Sequence, residues 1–256
     1  MTNAPALDQI AVIDISPLAD GSESGRAHVA QQLRETLERI GFFIITGHGV
    51  PQPLIDSAFA EARRFHAQPM SEKQKVLMNA HNNGYMASGR YNVRTSRVSE
   101  VEAKPDLNEA FFIKRERSPD DPMFKANRRF AGPNEWPADL PGFKQALLEY
   151  TDTVDAMARR LLPALAVSLD LPPETFCETF DAAFAESQFS FRLSHYPAVS
   201  EREAGQYGIA PHTDANFLTF LAQSGVAGLQ ARVGEDQWLD VPYVPGSFVV
   251  NSGDML

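Results

Sequence analysis

Cysteine is almost missing: Cys177 is the single one in 256 residues, so an internal disulfide framework is excluded. Its setting, Glu174-Thr175-Phe176-Cys177-Glu178-Thr179-Phe180, reads as an amphipathic helical turn with no base nearby in sequence. A buried thiol is expected there rather than a nucleophile. A second absence is any long apolar run. Residues 1–20 have no basic start followed by such a run, so neither a signal peptide nor a membrane-spanning helix is expected, and a cytoplasmic protein is. Clustered positive charge is scarce too. The net charge is -10, with acidic and basic residues interspersed, which argues against nucleic acid or a membrane surface as partner. The densest basic stretch, Lys114-Arg115-Glu116-Arg117, is interrupted by Glu116 and followed by Asp120 and Asp121. It reads as a solvated loop.

What is present suits a sizeable core, since 43% of the residues are hydrophobic. Residues 10–15 read as a strand, and Val29, Leu33, Leu37 and Ile40 then recur at helical spacing until Gly41. Phe42-Phe43-Ile44-Ile45 is a buried-strand run stopped by Gly47-His48-Gly49. Beyond Pro51 a second helix carries Ile55, Phe59, Ala62 and Phe65 on one face and ends at Pro69. Residues 78–137 are irregular, with turns at Asn82-Asn83-Gly84, Ser88-Gly89-Arg90 and Gly132-Pro133-Asn134 and a strand at Ala110-Phe111-Phe112-Ile113. The longest helical pattern follows through Phe143, Leu147, Tyr150, Val154, Met157, Leu161 and Leu165, with a kink expected at Pro163. After about Ser187 the period drops towards 2, with short strands at 189–196, 217–223, 229–233, 238–241 and 248–251. Closely spaced short strands of this kind suggest a barrel or jelly roll packed on the earlier helices.

The chemistry centres on Pro211-His212-Thr213-Asp214. In an extended segment residues i and i+2 point to the same side, so His212 and Asp214 can present an imidazole nitrogen and a carboxylate to one ion. That combination of borderline and hard ligands suits iron(II) when a second histidine completes one face of an octahedron.

Around that pair stand Phe191-Arg192-Leu193-Ser194-His195-Tyr196-Pro197 before it, then Phe217-Leu218-Thr219-Phe220-Leu221, Gly228-Leu229-Gln230, Trp238-Leu239-Asp240-Val241 and Pro245-Gly246-Ser247-Phe248-Val249-Val250-Asn251-Ser252-Gly253-Asp254-Met255-Leu256 after it. Val12-Ile13-Asp14-Ile15, Gly41-Phe42-Phe43-Ile44, Gly47-His48-Gly49-Val50 and Asn134-Glu135-Trp136-Pro137 precede them. This ordered set resembles the isopenicillin N synthase-like family of 2-oxoglutarate- and iron(II)-dependent dioxygenases. The resemblance implies an α+β fold: a double-stranded β-helix, or jelly roll, with a helical N-terminal half and with its C-terminal strands missing. It divides the chain into a non-haem dioxygenase region at 1–140, then backing helices and an incomplete jelly-roll core at 141–256, as one structural domain overall.

It also implies Fe(II) as cofactor, 2-oxoglutarate and O2 as cosubstrates, and a small-molecule substrate whose C–H bond is oxidised as the keto acid is decarboxylated to succinate. His212 and Asp214 are the expected metal ligands. Family members carry a distal histidine and an Arg-x-Ser beyond the Gly-Asp-Met-Leu stretch, and no histidine follows His212. The third ligand, a histidine, is therefore expected beyond Leu256, and the sequence reads as a fragment or an interrupted product. His48 resembles a structural turn of the family, and His195 should face away from Ser194 and Tyr196. Tyr196, with Ser194 and Arg192 on its face by strand alternation, is the expected cosubstrate contact. The stretches 84–91 and 106–111 should cover the iron mouth, which makes Arg90, Tyr91, Glu109 and Phe111 candidate substrate contacts. Two readings compete: an oxidase of the isopenicillin N synthase type that uses no keto acid, and an inactive truncated relative with a binding role. A zinc hydrolase lacks its further ligands at close spacing.

Overall fold

The computed structural model describes residues 9–89, 104–180, 188–199, 201, 203, 205–234 and 237–256. The first apolar segment forms β1 (Ala11–Asp14). Ser22 then caps α1 (Glu23–Leu37), its hydroxyl accepting the Gly25 N–H at 3.2 Å and so satisfying one orphan donor of the first turn. Gly41, at φ +72°, turns the chain out of the helix in a conformation that costs a residue without Cβ little. β2 (Phe42–Thr46) follows. A strand of consecutive apolar residues needs cover on both faces, and Phe43, Ile44 and Ile45 are all fully buried.

Next come α2 (Gln52–His66), the single turn α3 (Met70–Lys73), β3 (Gly84–Met86), β4 (Glu109–Lys114) and the short α4 (Pro122–Lys125), which Asp121 caps. α5 (Phe143–Ser168) runs through Pro163 as one helix, and its apolar face buries Phe143, Leu147, Tyr150, Met157, Leu161 and Leu165. α6 (Thr175–Thr179), β5 (Ser190–His195), β6 (Leu218–Leu221), β7 (Gln230–Val233), β8 (Gln237–Asp240) and β9 (Phe248–Ser252) complete the described elements. Among them no helix is long and apolar enough to cross a membrane.

The chain forms two compact units. One comprises Met1–Ile55, Thr153–Thr179 and Asp214–Leu256. Its four-stranded sheet has the order β1-β2-β9-β6, with β1 and β2 parallel and the other pairs antiparallel. β2 and β9, the two most buried strands of this sheet, occupy the centre, where both faces are covered. β7 and β8 form a separate antiparallel pair, and Ile10, Ile44, Ala231, Val241 and Val249 pack into a shared core. His48 ties this unit together. Its Nδ1 accepts the Val50 N–H at 3.1 Å, which leaves Nε2–H to donate to the Gly246 carbonyl at 2.8 Å, while Arg160 donates to the His48 carbonyl. The structural role expected for His48 is what its contacts describe.

The other unit comprises Asp56–Asp152 and Phe180–Thr213. Here β4 lies between β3 and β5, antiparallel to both. Phe65, Phe111 and Phe143 meet at centroid distances of 4.6, 5.7 and 5.5 Å beside Trp136. Each such ring contributes roughly 1.5–3 kcal/mol by burial alone.

Three local expectations change. Lys114-Arg115-Glu116-Arg117 is only in part a solvated loop: Glu116 is exposed, but Lys114 closes β4 and is buried, and the Arg117 side chain is 2% exposed and paired with Asp121 at 2.8 Å. The strand end carries Lys114 inward to a carbonyl, a hydroxyl and ring faces, whereas Arg117 lies past the strand and pairs with Asp121. Residues 84–86 belong to a sheet strand rather than a covering loop, and the Tyr85 ring is in the core. Cys177 is only partly buried; burial raises its thiol above the ordinary cysteine value, which keeps it protonated.

Candidate functional site

His212 lies at the end of the second unit, on a segment held by a neighbouring stretch of chain. The N–H groups of Leu107 and Asn108 donate to the carbonyls of Tyr207 and Gly208, both at 3.0 Å. The Ala210 N–H donates to Asp106 Oδ1 at 2.8 Å. The His212 ring then turns back, placing Nδ1 2.8 Å from the Ala210 carbonyl. A carbonyl only accepts, so Nδ1 carries the proton and Nε2 carries the lone pair. This is the arrangement a metal-ligating histidine adopts, with the second nitrogen fixed by a backbone oxygen. Asp106 is 1% exposed, and burial raises its carboxyl above the ordinary value against the pull of the Ala210 N–H, His212 and Arg192.

Asp214 lies at the start of a segment of the first unit. The antiparallel register of β6 and β9 sets Thr219 opposite Asn251. Both side chains donate to Asp214 Oδ2, Thr219 Oγ1 from 2.5 Å and Asn251 Nδ2 from 2.8 Å. Thr219 is itself oriented by Asn216 Nδ2 at 2.9 Å, and the Asp254 N–H donates to the Asp214 carbonyl at 2.7 Å. Two donors on one carboxylate oxygen fix its plane. An imidazole with a defined lone pair and a clamped carboxylate are each donor types that iron(II) takes.

β5 shows the alternation read from sequence. Leu193 pairs with Phe111 and is buried, and His195 pairs with Glu109. Arg192 and Ser194 therefore project to the opposite face, where Arg192 lies over the Phe112 ring at 5.2 Å. Its Nε and Nη2 are buried with no hydrogen-bond partner among the described residues, a donor pair suited to a carboxylate. Tyr196, just past the strand, is 52% exposed and rests against Gly208, where an added Cβ would come within 2.9 Å of the ring. Arg90 and Tyr91 lie outside the described residues.

Glu109 and Phe111, read from sequence as substrate contacts, have other surroundings. Phe111 is fully buried among Phe65, Phe143 and Trp136. The Glu109 carboxylate is the hub of an internal network: Lys73 Nζ donates to both oxygens at 2.9 and 3.1 Å, His195 Nδ1 lies 2.8 Å and His66 Nδ1 3.2 Å from Oε1, and the Tyr85 hydroxyl donates to Oε2. Burial opposes ionisation of Glu109, but the Tyr85, Lys73 and His195 hydrogen bonds outweigh it and hold the carboxyl down at about 2. Burial pushes His66 below the ordinary histidine value, against the pull of the Leu193 carbonyl and Glu109. Tyr85 is pushed up by burial and by Glu109.

Among the described residues, His66, Glu109 and His195 are the His/Cys/Asp/Glu group whose atoms converge enough to hold an ion. The buried Lys73 ammonium already occupies the carboxylate, so the cluster is a neutralised structural pair with histidine donors. A dication there would face a cation at hydrogen-bond distance from its only anionic ligand. Sequence reading missed Lys73, Tyr85, Asp106, Thr219 and Asn251. All but Thr219, which is five residues from Asp214, act across a distance of many residues, and no periodicity or motif links such partners.

Two family profiles match the chain: "non-haem dioxygenase in morphine synthesis N-terminal" over residues 10–139, and the 2OG-Fe(II) oxygenase superfamily over residues 187–256. A 2-oxoglutarate-Fe(II) type oxidoreductase of Emericella nidulans is 36% identical over 253 residues, covering 96% of this chain and 70% of that protein. Validamycin A dioxygenase of Streptomyces hygroscopicus subsp. limoneus is 30% identical, covering 96% of this chain and 67% of that protein. Among solved structures, a full-length Neurospora crassa protein in complex with alpha-KG and thymine superimposes with a TM-score of 0.80 at 27% identity, over 96% of this chain and 74% of that one.

Proposed function

The chain belongs to the 2OG-Fe(II) oxygenase superfamily, and from that premise we propose that it couples oxidative decarboxylation of 2-oxoglutarate to oxidation of a small-molecule C–H bond, with His212 and Asp214 as two protein ligands of the iron(II). The observation that carries the ligand assignment is the His212 ring, whose Nδ1–H is given to the Ala210 carbonyl so that Nε2 holds the lone pair.

Iron(II) and 2-oxoglutarate, when bound, supply the activation of O2 and the oxidising power. The chain's own residues supply position and charge. His212 offers a neutral imidazole of fixed tautomer, and Asp214 offers a negative charge that Thr219 and Asn251 hold in one orientation. Arg192, with two buried nitrogens lacking a partner among the described residues, is the proposed contact for a cosubstrate carboxylate, and Ser194 shares its side of β5. Tyr196, held beside Gly208, is the proposed third contact. The substrate is proposed to be small, as in the Neurospora crassa complex with thymine.

The test replaces His212 and Asp214 separately by Ala in the full-length protein. Both variants should lose iron and cease to form succinate from 2-oxoglutarate while unfolding in urea at nearly the wild-type midpoint. Normal iron content and succinate formation in either would show that the residue is no ligand.

A further inference from the structure

Ala210 has both of its backbone polar groups committed to side chains. Its N–H donates to Asp106 Oδ1 at 2.8 Å, and its carbonyl accepts from His212 Nδ1, also at 2.8 Å. Pro211, between Ala210 and His212, restricts φ near -65° and contributes no competing N–H. The position of the His212 ring is therefore set by three constraints in series: the Asp106 carboxylate on one side of Ala210, the stiff Ala210–Pro211 link, and the return of the ring to the Ala210 carbonyl.

Asp106 is an expensive residue for this task. It is 1% exposed, and among the described residues the Ala210 N–H is the hydrogen bond its carboxylate makes, while Oδ2 is buried without a partner. A buried carboxylate this poorly satisfied costs stability, and such a cost calls for a role that its position serves. The paired segments 106–108 and 207–210 share three hydrogen bonds. The two backbone bonds, through Tyr207 and Gly208, would align the segments without it. What the carboxylate adds is a third attachment at the residue that orients His212.

We propose that Asp106 is a positioning residue for His212, acting through both polar groups of Ala210, and that it thereby sets the affinity of the metal site. The proposal rests on His212 being an iron ligand. Removing a group that orients a metal-bound histidine lowers metal affinity by about 10–100-fold in general, and an effect of that size is expected here.

The experiment titrates the metal-free full-length protein with cobalt(II) alone, reading Kd and the ligand-field absorption bands, with urea unfolding as the check on folding. Asp106→Leu removes the acceptor and should raise the cobalt Kd about 10–100-fold with displaced bands. Asp106→Asn keeps an accepting oxygen on the Ala210 N–H and should stay within about threefold of wild type, the rescue a positioning role requires. Asp106→Glu moves the acceptor outward by one methylene, and should raise Kd at least several-fold even if the Leu variant fails to fold. His212→Ala is the reference for a lost ligand. Wild-type cobalt affinity in folded Asp106→Leu or Asp106→Glu, with affinity lost in His212→Ala, would overturn the proposal alone. An Asn variant as weak as His212→Ala would overturn it as well, since charge rather than the hydrogen bond would then be responsible. Unchanged affinity in His212→Ala would instead overturn the ligand assignment on which it rests.

Discussion

Glu109→Gln isolates the internal ion network from the chemistry. The Glu109 side chain is 9% exposed, and its oxygens receive Lys73, Tyr85, His66 and His195. Its carboxyl is held at about 2 against an ordinary 4.5. At about 1.4 kcal/mol per pH unit, that difference corresponds to about 3 kcal/mol of stability. A second route gives a similar figure. The glutamine keeps the shape but leaves the Lys73 ammonium buried without its counter-charge, and breaking a buried pair from one side costs about 3–5 kcal/mol. The cost has a ceiling, because an ordinary lysine can release its proton at pH 7 for about 5 kcal/mol. The sign with pH follows from the direction. A folded-state value below the unfolded one stabilises fully above about pH 4.5, and that stabilisation fades as pH falls towards 2. Urea unfolding of both proteins at pH 7.5 should therefore show Glu109→Gln weaker by about 3 kcal/mol, and by roughly 1 kcal/mol at pH 3. A deficit below about 0.5 kcal/mol at pH 7.5, or one that does not shrink with acid, would refute the reasoning, since surface pairs behave that way.

Lys114 makes the opposite case. Burial pushes its ammonium down to about 8, and Nζ is received by Ser190 Oγ at 2.8 Å and the Asn82 carbonyl at 3.2 Å, with no carboxylate recorded beside it among the described residues. The burial penalty is fully felt below about pH 8 and relieved as pH rises towards 10.5, so wild-type stability should climb over that window. Lys114→Met should remove the climb and cost nothing at pH 7.5, with a gain of up to about 2 kcal/mol; a loss above about 1 kcal/mol in urea unfolding would contradict this. Gly208→Ala places a Cβ 2.9 Å from the Tyr196 ring, which is half exposed and able to shift. The expected result is a stability loss of about 1 kcal/mol and a rise of about 2–10-fold in the KM for 2-oxoglutarate, with little change in kcat. An unchanged KM would argue against Tyr196 as a cosubstrate contact.

Much of this molecule is local. The strands at Ala11–Asp14, Phe42–Thr46 and Phe248–Ser252 and the long helix Phe143–Ser168 follow from runs and periods of apolar residues, because burial is decided by which face a side chain occupies. The alternation of β5 was legible for the same reason, and the candidate pair His212 and Asp214 could be picked out because its members are only two residues apart. Charge was not legible in this way. Lys114 and Arg117 read as solvent-exposed because their sequence neighbours are charged, yet Lys114 is carried inside at the end of β4 and the Arg117 side chain is buried against Asp121. Glu109 read as a substrate contact, and only the pairing of β4 with β5, together with the α2 and α3 residues His66 and Lys73, surrounds it with donors. Likewise Thr219 and Asn251 meet on Asp214 through the register of β6 and β9, and Asp106 reaches Ala210 across more than a hundred residues. A side chain's period is written in its near neighbours, whereas the partner of a buried charge is whatever group folding brings within about 3 Å, and that distance exists only once the chain has closed on itself.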